Sequence, residues 1–130
     1  MISMKENIRM RKEKFLNARA KVTNEYKRKI ELLDKYIRTL DNSEINEHDD
    51  IDTIVFKLYM QLDNVSKVAK VVNELGFRII TNSYIGERKY NSNDITSIIT
   101  NKDALVSNEL KESVQEIQKI NYGKISKRWF

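Results

Sequence analysis

Side chains able to do covalent or metal chemistry are scarce in this chain. There is no cysteine, and His48 is the only histidine. Without cysteine there are no disulfide frameworks, thiol nucleophiles or cysteine-ligated zinc sites. One histidine leaves no histidine-rich metal site and makes a His-centred triad an unpromising reading. The glycines, Gly76, Gly86 and Gly123, are too few for a glycine-rich phosphate cradle. Carboxylates crowd together only at Asp41, Glu44, Glu47, Asp49, Asp50 and Asp52. A calcium loop of the EF-hand kind needs a central Gly and a closing Glu, and this run contains no Gly. It reads as a solvated linker, with His48 as an exposed residue within it. No nucleophile stands beside a plausible base. The expectation is a binding protein, not an enzyme, with no cofactor and no metal.

The residues that do suggest recognition lie between 88 and 102. Asn93, Thr96, Ser97, Thr100 and Asn101 fall on one side of a helix whose other side carries Ile95, Ile98 and Ile99. A helix that only needs solubility usually shows Lys and Glu. Short uncharged donors and acceptors instead let a backbone approach base edges in a DNA major groove. Asn can bond adenine twice, and the Thr methyl can meet the thymine methyl. Arg88, Lys89 and Lys102 bracket the helix where they can hold phosphates. Ser92 at the helix start, and Asn82 and Ser83 in a preceding turn, complete the candidate contact set. The alternative is that Asn and Ser are simply abundant in this chain.

Several elements must position that face. Ile51, Ile54, Val55, Leu58 and Leu62 form one helical stripe, and Asp63-Asn64 can turn the chain. Val65, Val68, Ala69, Val72 and Leu75 mark a second helix, which Gly76 ends. The pair has the shape of a helix-turn-helix. Phe77–Tyr90 then shifts to β-branched and aromatic residues and reads as a small hairpin or extended loop. Asn91-Ser92-Asn93-Asp94 supplies N-cap chemistry for the third helix.

The segments from Val65 to Arg78 and from Tyr90 to Asn101 resemble the DNA-binding helix-turn-helix segments of large serine recombinases. In those, a helix ending Leu-Asn-Glu-x-Gly is followed by a short extended stretch and a second helix. Here the corresponding residues are Val72-Asn73-Glu74-Leu75-Gly76, then the helix from Ser92 to Asn101. The resemblance covers about 40 residues and implies DNA binding through the helix that begins near Ser92. It does not extend to a recombinase catalytic domain, for which the 130-residue chain has no room.

The remainder of the chain frames this unit with charge. Residues 1–40 hold 12 Lys/Arg against five acids, and residues 41–54 hold six acids and no Lys or Arg. Residues 55–102 hold seven bases and four acids, and residues 103–130 five and four. The net +5 is therefore a basic arm, an acidic insert and a basic C-terminal half. From Lys5 to Leu40 there is neither Gly nor Pro, which favours one long helix. Phe15, Val22, Lys29 and Tyr36 occupy one seam position, and Arg19, Tyr26, Leu33 and Leu40 the other, with Ile30 and Ile37 widening the stripe. Phe15, Val22, Tyr26, Ile30, Leu33, Tyr36, Ile37 and Leu40 are thus the candidate dimerisation residues. The stripe can equally pack on the chain's own domain or on a foreign protein. Arg9, Arg11 and Lys12 are either a solvated helix end or a phosphate-contacting arm.

These observations combine into one expectation. The fold is mainly α, with a long N-terminal helix of possible coiled-coil type. A small helix-turn-helix or winged-helix domain follows, with a short β-hairpin and a C-terminal helix. The divisions are 1–40 (arm), 41–50 (acidic linker), 51–102 (helix-turn-helix-like domain) and 103–130 (C-terminal helix and basic aromatic tail). In the last, Leu105, Leu110, Val114 and Ile117 share a side, and the ending with Trp129 and Phe130 is either a disordered tail or one whose aromatics tuck into the core or anchor a partner. No apolar stretch approaches the roughly 20 residues of a membrane span, and residues 1–6 carry no apolar signal core. The expected partners are double-stranded DNA and a second copy of the chain, in the cytoplasm of a bacterial or phage-infected cell. The function expected is a regulator, or a replication, partition or packaging factor. The alternative is a small helical interaction or inhibitor protein, of the phage accessory type, that binds a protein partner or blocks a nucleic-acid channel.

Overall fold

A computed structural model describes residues 3–84 and 86–123. The fold is mainly helical, with five helices and one small antiparallel hairpin among the described residues. In chain order these are α1 (Met4–Asp41), α2 (Ile51–Leu62), α3 (Val65–Glu74), β1 (Ile79–Ile80), β2 (Glu87–Arg88), α4 (Ser92–Ile99) and α5 (Asn108–Asn121). The chain divides into two compact units, with the boundary between Lys35 and Tyr36. Trp129 and Phe130 lie outside the described residues.

The first unit consists of α1 up to Lys35. Its helix follows from an uninterrupted run of good helix formers, and it buries nothing before residue 32. Phe15, Val22, Tyr26 and Ile30 are exposed, and the Arg11 guanidinium lies 5.0 Å from the centre of the Phe15 ring.

The second unit is built around α2. Ile54, Val55, Phe56, Leu58 and Tyr59 are buried, so α2 is covered on more than one side. Val68, Ala69 and Val72 of α3, Ile95 and Ile99 of α4, and Leu110 and Val114 of α5 close the same core, together with Ala104. The α2–α3 turn works because Asp63 adopts a left-handed conformation (φ 51°) and sends its N–H to the Tyr59 carbonyl. Asn64 then caps α3, its side chain accepting from the Lys67 N–H. At the other end of α3, Gly76 (φ 96°) allows a two-bond Schellman stop: Phe77 N–H to Val72 C=O, and Gly76 N–H to Asn73 C=O. The hairpin pairs Ile79 with Arg88 and Ile80 with Glu87.

Four expectations are corrected. The acidic run is not a solvated linker, and the domain boundary lies upstream of it. Ser43 is buried and gives its hydroxyl to the Thr39 carbonyl, while Gln61 donates to the Ser43 carbonyl. Lys57 of α2 reaches back to the Glu44 carbonyl and to Asp49 at 2.7 Å. Asp50 caps α2 through the Thr53 N–H. Asp49 and Asp50 of this segment thus do structural work on α2, while Glu44, Glu47 and His48 are exposed.

Tyr36 is not a dimer-seam residue. It is buried, and its hydroxyl donates to Glu116 of α5 at 2.7 Å. Arg38 pairs with Glu109, and the Thr39 and Ser113 hydroxyls meet at 3.1 Å. The last turns of α1 therefore pack on α5, with Ile37 and Leu40 left exposed.

The C-terminal helix starts at Asn108 and not at Asp103. Asn101 holds the intervening turn by accepting from Ala104 N–H through its carbonyl and from Asp103 N–H through its side chain. Leu105 is consequently 89% exposed. Leu75, expected on the α3 stripe, is also exposed, since α3 ends at Glu74 and Leu75 serves as its C-cap ahead of the Gly76 stop.

Candidate nucleic-acid interface

The outward side of α4 carries Ser92, Asn93, Thr96, Ser97 and Thr100 of the proposed contact residues. The helix begins with a reciprocal cap: Asn91 Oδ1 accepts from Asp94 N–H, and Asp94 Oδ2 accepts from Asn91 N–H. Ile95 and Ile99 anchor the inner side against α2 and α3 at zero exposure. With that side fixed, Asn93, Ser97 and Thr100 are exposed, and Ser92 and Thr96 half-buried. Three hydroxyls bond back to the helix: Thr96 to Ser92 C=O, Ser97 to Asn93 C=O and Thr100 to Thr96 C=O. Each spends its proton this way and keeps lone pairs that can accept. Asn93 is exposed, so α4 offers one side chain of the type that can bond adenine twice.

Two neighbouring elements are tied to α4. At the start of α3, Ser66 Oγ lies 2.8 Å from Ser92 Oγ, which brings the N-terminal ends of α3 and α4 together. Lys67 and Lys70 are exposed on α3. On the hairpin side, Asn73 holds the Tyr90 backbone as a strand would. Its Nδ2 donates to the Tyr90 carbonyl at 3.0 Å, and its Oδ1 accepts the Tyr90 N–H at 2.8 Å. Arg78 donates to the Asn73 and Phe77 carbonyls and so covers the end of α3. The path from hairpin to α4 is therefore pinned to α3.

The hairpin loop is closed by Thr81 N–H to Gly86 C=O at 2.8 Å and by Gly86 N–H to Ser83 C=O. Gly86 carries the positive φ (82°) this closure needs. Asn82 and Ser83 are exposed at the tip, beside Tyr84 at full exposure, and Ile80 is also exposed.

The structure separates the basic residues expected to hold phosphate. Lys89 and Lys102 are exposed, the latter beyond the end of α4. Arg88 is engaged otherwise. Its Nη1 and Nη2 meet Asp94 Oδ2 and Oδ1 at 2.7 and 2.9 Å, a two-bond fork. The Arg88 bond, offset in part by burial, holds the Asp94 carboxyl below the usual carboxylate range. Arg9, Arg11 and Lys12 are exposed on the first unit. The residues that sequence reasoning missed as organisers are Ser66, Asn73, Arg78 and the Arg88–Asp94 pair. The three-residue spacing of Asn91 and Asp94 announces the cap. The other contacts are long-range and carry no local signal.

Elsewhere the candidate chemistry does not assemble. Among the described residues, no group of three or more His, Asp or Glu side chains is placed to hold a metal ion. No helix there is long and apolar enough to cross a membrane. Comparison with protein-family models, curated proteins and solved structures returns no match.

Proposed function

We propose that this protein binds double-stranded DNA in the helix-turn-helix manner. In this reading α4 enters the major groove, the hairpin serves as a wing beside it, and the chain acts as a dimeric regulator or as a replication, partition or packaging factor. The observation that carries the reading is the outer side of α4: short, hydrogen-bonding and uncharged, with Asn93, Ser97 and Thr100 exposed, on a helix whose inner side is fixed by Ile95 and Ile99. An α-helix with its side chains is about 10–12 Å across, which suits a groove about 12 Å wide. Lys67, Lys70, Lys89 and Lys102 supply phosphate partners around it. Dimerisation is assigned to the exposed α1 residues Phe15, Val22, Tyr26, Ile30, Ile37 and Leu40. Two copies would give a two-fold site with matched half-sites.

The test is a gel shift of the purified protein against a fragmented genome at low and moderate salt. A specific binder retains a preferred fragment while the remaining binding falls away with salt, since phosphate contacts release counterions. Loss of all fragments together at moderate salt contradicts specific recognition. The same exposed α1 residues favour a second reading, a helical protein that docks on a protein partner. It predicts no preferred DNA at any salt.

A further inference from the structure

The Arg88–Asp94 pair joins two elements that have little else in common. Arg88 belongs to β2, a strand of two residues, and Asp94 to the first turn of α4. The hairpin itself has scant anchorage. β2 is exposed, Ile80 is 87% exposed, and Ile79 and Phe77 are only half-buried. Behind it, Phe77 and Tyr90 pack on the core and Asn73 fixes the chain at Tyr90, which holds the base of the hairpin but not its strands. The Arg88 fork acts beyond that base. A guanidinium bonded twice to one carboxylate fixes direction as well as distance. Asp94 is itself held, because one of its oxygens also accepts the Asn91 N–H. Arg88 additionally donates to the Lys89 carbonyl, which stiffens the strand-to-helix path.

We infer that Arg88 is a positioning residue, which sets the angle of the hairpin to α4 through Asp94 and does not contact phosphate. The inference deepens the DNA-binding reading and rests on it for its functional consequence. It has an electrostatic side. Asp94 would place a bare negative charge at the end of α4 that must approach DNA, and the fork neutralises it locally. Lys67, Lys70, Lys89 and Lys102 then remain as the phosphate partners of this surface.

The two roles for Arg88 predict opposite signs. Asp94→Asn keeps an oxygen for the Asn91 cap but removes the charge that holds Arg88. If Arg88 positions the hairpin, this variant binds the preferred fragment at least about 5-fold more weakly, the scale of one well-made base contact. If Arg88 is a phosphate ligand, the variant frees it and binds more tightly. Arg88→Gln adds a second measurement. A positioning role lowers affinity with the slope of log K against log salt unchanged, whereas a lost phosphate contact reduces that slope by about 1. Tighter binding by Asp94→Asn, a reduced slope in Arg88→Gln, or no change in either variant overturns the inference. Orientation is read without DNA from residual dipolar couplings of the hairpin amides relative to those of α4. These should change in both variants, and unchanged couplings overturn the clamp even if the wild-type chain binds no DNA. A wild-type chain that binds no DNA, with altered couplings in the variants, instead overturns the functional reading and leaves the clamp standing.

Discussion

Replacing Asn73 by Ala should weaken the second unit more than the same substitution at any other polar residue of α3, all of which are exposed. The side chain satisfies both backbone groups of Tyr90, with bonds of 3.0 and 2.8 Å. A hydrogen bond contributes about 0.5–1.5 kcal/mol net, so removing two costs about 1–3 kcal/mol. Tyr90 is only half-buried, and water can partly replace the lost partner, which places the expectation near 2 kcal/mol. For a unit of roughly 100 residues that lowers Tm by about 8–16 °C. Asn73→Asp is a useful companion: it still accepts the Tyr90 N–H but sets a carboxylate against the Tyr90 carbonyl, so it should be no more stable than the Ala variant at neutral pH. The assay is urea unfolding followed by far-UV circular dichroism, with the midpoint compared at constant m. A midpoint shift worth less than about 0.3 kcal/mol in Asn73→Ala would refute the idea that this side chain pins the path into α4.

The remaining expectations concern other contacts. Thr39→Val removes the hydroxyl that meets Ser113 in the α1–α5 packing, and should cost about 1–2 kcal/mol; Thr39→Val with Ser113→Ala should recover part of that loss in the same unfolding assay. Asp49 has its carboxyl below its usual 3.8: burial pushes it up, and the Lys57 bond and charge with the Asn46 bonds outweigh that. Its contribution is complete above pH 4 or so and is lost as pH falls through the lower folded value, so Asp49→Asn should flatten the acid limb of stability against pH. Tyr36 is pushed above its usual 10.0 by burial and by Glu116. The folded state thus favours the neutral phenol, stability should fall as pH rises past about 10, and Tyr36→Phe should reduce that alkaline loss. A chain beginning at Tyr36 should keep the α2–α5 fold by circular dichroism yet show in light scattering the mass of one truncated chain per particle; a particle holding two truncated chains contradicts dimerisation through α1.

Much of the second unit was legible because its helices carry separate local signals. Val68, Ala69 and Val72, and Ile95 with Ile99, lie at helical spacing between recognisable caps, and all are buried. The start of α4 was written in Asn91 and Asp94. What escaped was information carried by distance along the chain. Nothing near Tyr36 announces Glu116, 80 residues away, so a good seam residue proved to be a core residue. Nothing in the acidic run shows that Lys57 and Gln61 will fold it onto α2. Arg88 looked like a phosphate ligand because a surface Arg beside a polar helix usually has no competing partner six residues on. Leu105 looked like core from its period, but the turn held by Asn101 delays α5 and leaves it outside.

The central claim, that the outer side of α4 reads DNA, is tested most directly by one comparison. Asn93, Thr96 and Ser97 are replaced together by Glu, and binding to the preferred genomic fragment is measured beside the wild-type chain at matched salt. Asn93 and Ser97 are exposed and Thr96 is half-buried, so circular dichroism and the unfolding midpoint must first show the variant folded. The account predicts loss of the fragment preference in a folded variant. Undiminished, equally selective binding by that variant would contradict it.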